Sequence, residues 1–220
     1  MTGMRFFLIC LVTLVGAASA ARSQDKEPAK TKSIPSPDKQ WEYRCSDGLW
    51  SSIFKTKGDR LALDLTNEIE VPYCKDAEVI WSADSKRFAI NYSPPHAPHT
   101  TYVTCAFYEL SDGLWVSMDA PIDDSSATSF AQLAEHLPRG MRKPRIWDAN
   151  VERVVLKVLR WSEPNTAVIY VHAASDQARW KNGASSFLFT VKFPPGEAWK
   201  IVEARALTGK EVEQEISGPE

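Results

Sequence analysis

Large apolar side chains alternate with polar or small ones along much of the chain, which predicts β-strands with one face in a core. The pattern is clearest over 186–193, where phenylalanine and valine alternate with other residue types, and it recurs over 87–92 and 61–65. Pairs that tolerate positive φ, such as Asp47-Gly48 and Asp112-Gly113, separate these runs. We therefore predict an all-β, mainly antiparallel fold.

The predicted strands group into about three blade-like units of three or four strands, as an incomplete propeller or as stacked sheets. The first unit comprises Trp41–Cys45, Leu49–Lys55 and Arg60–Thr66, and it lacks a first strand of its own. The second comprises Glu78–Ser82, Arg87–Tyr92, Thr101–Leu110 and Leu114–Met118. The third comprises Val154–Ser162, Thr166–Ala173, Ser185–Phe193 and Trp199–Arg205.

One repeated pentapeptide fits this alignment poorly. SDGLW occurs at 46–50, between the second and third strands of its unit, and at 111–115, between the third and fourth. Either a common hairpin sequence occurs twice by chance, or the first unit is out of phase. We favour chance, because Asp-Gly between apolar runs is the strongest short hairpin signal.

A single helix is predicted between the second and third units, at about 125–138. Apolar residues recur there at helical spacing, Asp123 and Asp124 precede it as capping residues, and Pro138 ends it. We interpret it as a connector that could lie over one sheet edge.

The N-terminus predicts export. Arg5 precedes the apolar run 6–15, and Ala18-Ser19-Ala20 forms a small-residue cleavage site, so residues 1–20 are predicted to be a Sec-type signal peptide cleaved after Ala20. The alternative is an uncleaved anchor, but the apolar run is shorter than the ~20 residues that span a membrane. We expect a periplasmic or extracellular protein that does not span the membrane after cleavage.

Composition sets the remaining boundaries. Residues 21–40 are almost devoid of apolar side chains, which predicts a disordered linker. Residues 41–207 are predicted to form a single β domain, followed by a charged tail over 208–220. Within this tail, Thr208–Ile216 is expected to form a short exposed helix or to fray. The chain carries 26 basic and 28 acidic residues without a dense basic cluster, so nucleic acid is not an expected partner.

Three cysteines follow the signal peptide, so at most one internal disulfide leaves one thiol unpaired. We favour a Cys45–Cys74 bond, because both residues lie near strand ends where a loop can adjust to disulfide geometry. Cys105 alternates with Val103 and Phe107 inside a strand and is predicted to be a buried, inert thiol. The alternative is that all three are reduced and buried.

The starts of the three units share a short motif. It comprises Ser36, Pro37, Asp38, Lys39 and Trp41 in the first, Trp81, Ser82, Asp84, Lys86 and Ala89 in the second, and Trp161 with Ser162 in the third. This motif resembles the hairpin signature of WD40-like propeller repeats of the TolB type. The chain as a whole resembles small secreted bacterial proteins of unassigned function that carry similar units. The resemblance implies blade-like sheets and no particular chemistry. Three blades are too few to close a ring, since propellers have typically four to eight.

The most unusual local composition is SPPHAPHTTY at 93–102. His96, His99 and Tyr102 lie in a proline-stiffened loop and are the candidate residues for contact with a ligand or partner. His96 and His99 are also candidate metal ligands, but two histidines under-fill a zinc site. No catalytic residue and no cofactor is assigned.

The leading hypothesis is an exported, non-enzymatic interaction or ligand-binding module that contacts an unidentified protein or envelope component through loops at one end of its sheets. The alternative is a metal-dependent hydrolase that uses His96, His99 and a carboxylate from elsewhere in the chain. A third interpretation is an accessory subunit whose incomplete ring is completed by a partner.

Overall fold

The computed structural model describes residues 32–69, 74–94, 103–120, 133, 135–136, 153–174 and 185–217. These residues form three antiparallel four-stranded sheets, each with its strands in chain order. The prediction of an all-β, mainly antiparallel fold is confirmed. The sheets of this part of the chain stack face to face and do not close into a ring.

Sheet one contains a strand that the sequence analysis does not predict. Its strands are β1 (Lys32–Pro35), β2 (Trp41–Ser46), β3 (Trp50–Lys55) and β4 (Arg60–Asp64). The pairing of Lys32 with Cys45 and of Pro35 with Glu42 adds β1 to β2. The prediction of a disordered linker over 21–40 is therefore wrong for 32–40, while residues 21–31 lie outside the described residues.

A short helix, α1 (Leu65–Glu68), ends sheet one where a continuous strand to Thr66 was predicted. The Asp64 side chain accepts hydrogen bonds from the backbone N–H groups of Thr66 and Asn67, which starts the helix. Leu65 is fully buried at its first position, so the alternation over 61–65 extends past the strand into the helix.

Sheet two follows the prediction closely. Its strands are β5 (Glu78–Trp81), β6 (Arg87–Tyr92), β7 (Thr104–Ser111) and β8 (Leu114–Ser117). Its face towards sheet one carries Val79, Phe88, Ile90, Tyr108 and Trp115, which pack with Trp41, Tyr43 and Ile53 of sheet one. Its opposite face carries Ile80, Ala89 and Phe107, which pack on sheet three.

Sheet three is formed by the longest strands, which are β9 (Arg153–Glu163), β10 (Thr166–Ala174), β11 (Ser185–Lys192) and β12 (Lys200–Leu207). Its face towards sheet two buries Val158, Ile169, Phe187 and Phe189. Two register shifts on β9 bulge the strand near Leu159 and Ser162. The core between the sheets therefore consists of two apolar layers, one on each side of sheet two, and a smaller buried cluster lies on the outer face of sheet three.

Two segments outside the sheets can be compared with their predicted roles. Within the predicted connector 125–138, Leu133 and Glu135 have helical backbone, and Leu133 is fully buried in the layer between sheets two and three. That part of the connector fills the core rather than covering a sheet edge. The predicted charged tail 208–220 begins with α2 (Gly209–Ser217), which packs on sheet three through Val212.

Candidate functional site

The hairpins that begin the first two sheets have the same hydrogen bonds. The Ser36 hydroxyl donates to Asp38 Oδ1 at 2.6 Å and accepts from the Trp41 backbone N–H at 3.0 Å. In the second copy, Ser82 donates to Asp84 Oδ1 at 2.7 Å and accepts from the Arg87 N–H at 2.9 Å. The serine and aspartate of the repeated motif therefore stabilise a turn, and their polar atoms are used within it.

These hairpins also join neighbouring sheets. The backbone N–H of Asp38 donates to Ser85 Oγ at 3.0 Å, and Arg87 Nη1 donates to the carbonyl of Pro164 in the third hairpin at 3.3 Å. Arg87 also pairs with Glu109 at 3.3 Å. The three hairpins therefore lie side by side at one end of the stack. We call this the short-turn end, because every connection there is a tight turn or a short loop.

The long connections leave from the opposite end, which we call the long-connection end. The segments between described residues 69 and 74, 94 and 103, 120 and 153, and 174 and 185 all begin and end there, as the strand directions and pairings show. Lys32 Nζ donates to the carbonyl of Ala77 at 2.7 Å, which places the ends of sheets one and two together. Binding residues concentrate in such connections on rigid scaffolds.

Among the described residues at the long-connection end, two large apolar side chains are exposed. Leu49 and Trp50, in the β2–β3 hairpin, are 48% and 58% exposed. Left-handed φ angles of 56° at Asp47 and 72° at Gly48 turn the chain sharply before them. Tryptophan is enriched in binding interfaces and among the residues that contribute most to binding energy.

A disulfide fixes this hairpin to the rest of the stack. The sulfur atoms of Cys45 and Cys74 are bonded at 2.11 Å, which is the pairing that the sequence favours. The Tyr43 hydroxyl donates to the Cys74 carbonyl at 3.2 Å, and Ser51 Oγ donates to the Tyr43 hydroxyl at 3.3 Å. Leu49 and Trp50 are therefore exposed next to a rigid, covalently closed base.

The tryptophans of the two SDGLW copies differ in burial. In the first, Ser46 pairs with Trp50 across a three-residue loop, and in the second Ser111 pairs with Leu114 across a two-residue loop. A change of one residue in register exchanges the faces of a strand. Trp50 is consequently exposed, whereas Trp115 is 6% exposed and packs between sheets one and two.

The candidate contact residues His96, His99 and Tyr102 lie outside the described residues. The flanking residues Pro94 and Val103 are at the long-connection end, and the Val103 carbonyl accepts from the Leu156 N–H at 2.8 Å. Within the described part of the chain, no three histidine, cysteine, aspartate or glutamate residues are grouped to hold a metal ion. The nearby carboxylate of Glu109 lies at the short-turn end, where it pairs with Arg87.

One histidine cluster on sheet three is not predicted from the sequence. His172 Nδ1 and the Tyr170 hydroxyl lie 2.9 and 3.1 Å from Ser186 Oγ. Burial lowers the pKa of His172, which favours the neutral form of the ring. The cluster is a cross-strand contact, since His172 and Ser186 are paired in register. Nothing in the local sequence marks it, because the contact joins two strands.

The third cysteine of the described residues, Cys105, is shielded from solvent. Cys105 is unpaired and buried between sheets two and three, as predicted. Burial raises the pKa of its thiol, so the nucleophilic thiolate form is suppressed. Cys105 is therefore a core residue.

No protein-family model matches the chain, and no curated protein matches it at a significant level of sequence similarity. Within the described residues, neither helix has the length and apolar content needed to cross a bilayer.

Proposed function

We propose that this chain is an exported, non-enzymatic interaction module that binds a protein or another envelope component through its long-connection end. The observation that carries the proposal is the exposure of Leu49 and Trp50 at the end where all the long connections begin. The segment with His96, His99 and Tyr102 is one of those connections, and we propose that it contributes contacts beside Trp50.

The opposite end supports this choice of surface. At the short-turn end, the polar atoms of Ser36, Asp38 and Ser82 bond within the hairpins, and Arg87 bonds to Pro164 and Glu109. Groups that already have intramolecular partners would lose them on binding a ligand, and that loss would offset new contacts. Leu61 and Leu114 are also exposed at the short-turn end, but no long connection begins there.

The disulfide supports the proposed location outside the cytoplasm. Disulfides form and persist in oxidising compartments, and the Cys45–Cys74 bond is such a bond. Together with the apolar N-terminal segment, it favours a periplasmic or extracellular protein. We also propose that the sheets are related to WD40-like repeats, since the Ser36 and Ser82 hairpins have the same hydrogen bonds.

The test uses the two SDGLW copies as a matched pair. A photo-reactive phenylalanine analogue replaces Leu49 in one variant and Leu114 in the other, and both are expressed in the native host. Leu49 is 48% exposed and Leu114 is 67% exposed, but they lie at opposite ends of the stack. We expect a discrete crosslinked species from position 49 and none from position 114.

A second change tests the named contacts. Truncation of a buried interface tryptophan costs about 2 kcal/mol or more, which is roughly a thirtyfold loss of affinity. Trp50→Ala should therefore abolish most of the position-49 crosslink, and His96→Ala with His99→Ala should reduce it. Equal crosslinking from both positions, or a position-49 crosslink that Trp50→Ala leaves unchanged, contradicts the proposal.

A further inference from the structure

The face of sheet three that points away from sheet two is apolar. Val168, Tyr170 and Leu188 are buried there, and Leu159 and Leu207 lie around them. This is the last sheet of the stack, so no further sheet of the described residues covers this face. Among the described residues outside sheet three, α2 contacts this face through Val212.

A contact that is repeated between neighbouring sheets indicates where a fourth sheet would dock. The Trp81 indole N–H donates to the Ile34 carbonyl of the preceding sheet at 3.3 Å, and the Trp161 indole donates to the Ile80 carbonyl at 3.0 Å. Both acceptors lie two residues before the hairpin serine of their sheet. The equivalent position in sheet three is Arg160, two residues before Ser162, and a fourth sheet would dock there.

Helix α2 lies beside this part of sheet three and contacts the side chain of Arg160. Its Glu215 pairs with Arg160 at 2.8 Å, and Arg205 of β12 pairs with Glu211 at 2.9 Å and with Glu215 at 3.2 Å. Reciprocal hydrogen bonds between Thr208 and Glu211 begin the helix at the edge of the sheet. The helix is thus fixed at both ends across the apolar strip.

The opposite face of the stack cannot serve as a fourth sheet for another copy. Pro35 stands in sheet one where Trp81 and Trp161 stand in the others, and it has no N–H group to donate. The outer face of sheet one carries Arg44, which pairs with Glu42 at 2.6 Å and with Asp59 at 2.5 Å. A charged face would lose its hydration against an apolar one, so head-to-tail stacking of copies is disfavoured.

We propose that α2 is a terminal cap, which takes the place of a fourth sheet and prevents sheet three from packing on the same face of a second copy. Repeat arrays need such polar caps to stay soluble, since each repeat leaves an apolar face for its neighbour. In a purified sample of a chain without this cap, the apolar surface that matches the outer face of sheet three is the same face of another copy. The expected dimer is therefore symmetric, with sheet three of one copy packed on sheet three of the other.

The experiment compares Val212→Asp with Gln214→Asp in the full chain from Ala21. Both add one carboxylate to α2, but Val212 contacts sheet three and Gln214 is exposed. Light scattering after size exclusion should give a monomer for the wild type and Gln214→Asp. Val212→Asp should give a dimer or larger species at micromolar concentration, with the near-ultraviolet circular dichroism of the sheets retained. A chain that ends at Leu207 should associate in the same way.

Three results overturn the proposal. The first is a Val212→Asp chain that stays monomeric, whether its near-ultraviolet signal is native or lost. The second is equal association of Gln214→Asp, because charge alone would then explain the effect. The third is a wild-type chain that already associates through this face.

Discussion

Replacing Asn91 with alanine should weaken the packing of sheet two on sheet three. The Asn91 side chain lies in β6, is 3% exposed, and bonds to both backbone groups of one residue in β9. Its Nδ2 donates to the Val158 carbonyl at 2.9 Å, and its Oδ1 accepts from the Val158 N–H at 2.8 Å. The Asn91 side chain thereby makes the hydrogen bonds to Val158 that the backbone of a neighbouring strand would otherwise make. Val158 lies next to a bulge that shifts the β9–β10 register.

The expected loss can be worked from these contacts. Alanine leaves the N–H and the carbonyl of Val158 without their partner in a fully buried site. An unsatisfied buried group costs about 1–3 kcal/mol, so the two together should cost roughly 2–6 kcal/mol of unfolding free energy. That is a large fraction of the ~5–15 kcal/mol by which domains are stable.

Urea unfolding followed by tryptophan fluorescence measures this loss, and Asn67→Ala is the control. Asn67 is exposed, and its side chain bonds to Asp64 at 2.6 Å on the surface of α1. Surface substitutions of this kind change stability by about 0.5 kcal/mol or less. A loss below ~1 kcal/mol for Asn91→Ala, or a loss equal to that of the control, would refute the assigned role.

Three further predictions concern the disulfide, the buried thiol of Cys105 and the half-buried histidine, His172. Replacing both Cys45 and Cys74 with alanine should lower the free energy of unfolding by roughly 3.5 kcal/mol, because the bond closes a loop over a sequence separation of 29 and so restricts the unfolded chain. An unchanged urea midpoint would contradict this. Cys105 should react with iodoacetamide only after denaturation, and rapid labelling of the native chain, measured by mass spectrometry, would disprove its burial. Because burial lowers the pKa of His172, the unfolded chain takes up its proton first as the pH falls below about 6.5. Stability attributable to His172 is thus present above that pH and lost as the pH falls to the folded-state pKa. His172→Gln should flatten the dependence of the urea midpoint on pH in this window, and identical slopes would contradict the assignment.

The strands of sheets two and three follow from the sequence because their signals are local. The predicted Arg87–Tyr92 matches β6, and the predicted Thr166–Ala173 differs from β10 by one residue. β1 is missed because Ile34 is its one large apolar residue, and its strand conformation depends on pairing with β2. A short, mostly polar segment can thus form a strand when the edge of a neighbouring strand is free to pair with it.

The candidate surface depends on contacts that the sequence does not reveal. Trp50 and Trp115 follow the same four residues, and a one-residue difference in hairpin register decides which is buried. The bonds from Trp81 and Trp161 to the preceding sheet are also non-local, although their spacing before each hairpin serine is visible as a repeat. Alternation predicts the strands, but it does not predict which face meets a neighbour.

The most direct test of the proposed interaction end is hydrogen–deuterium exchange of the chain with and without the partner captured through position 49. The account predicts that slowed exchange is confined to the β2–β3 hairpin, 46–50, and to the connection 93–103. The hairpins at 36–40, 82–86 and 112–113 should exchange at the same rate in both samples. Protection at those short-turn hairpins, with none at 46–50, would contradict the claim that the long-connection end is the binding surface.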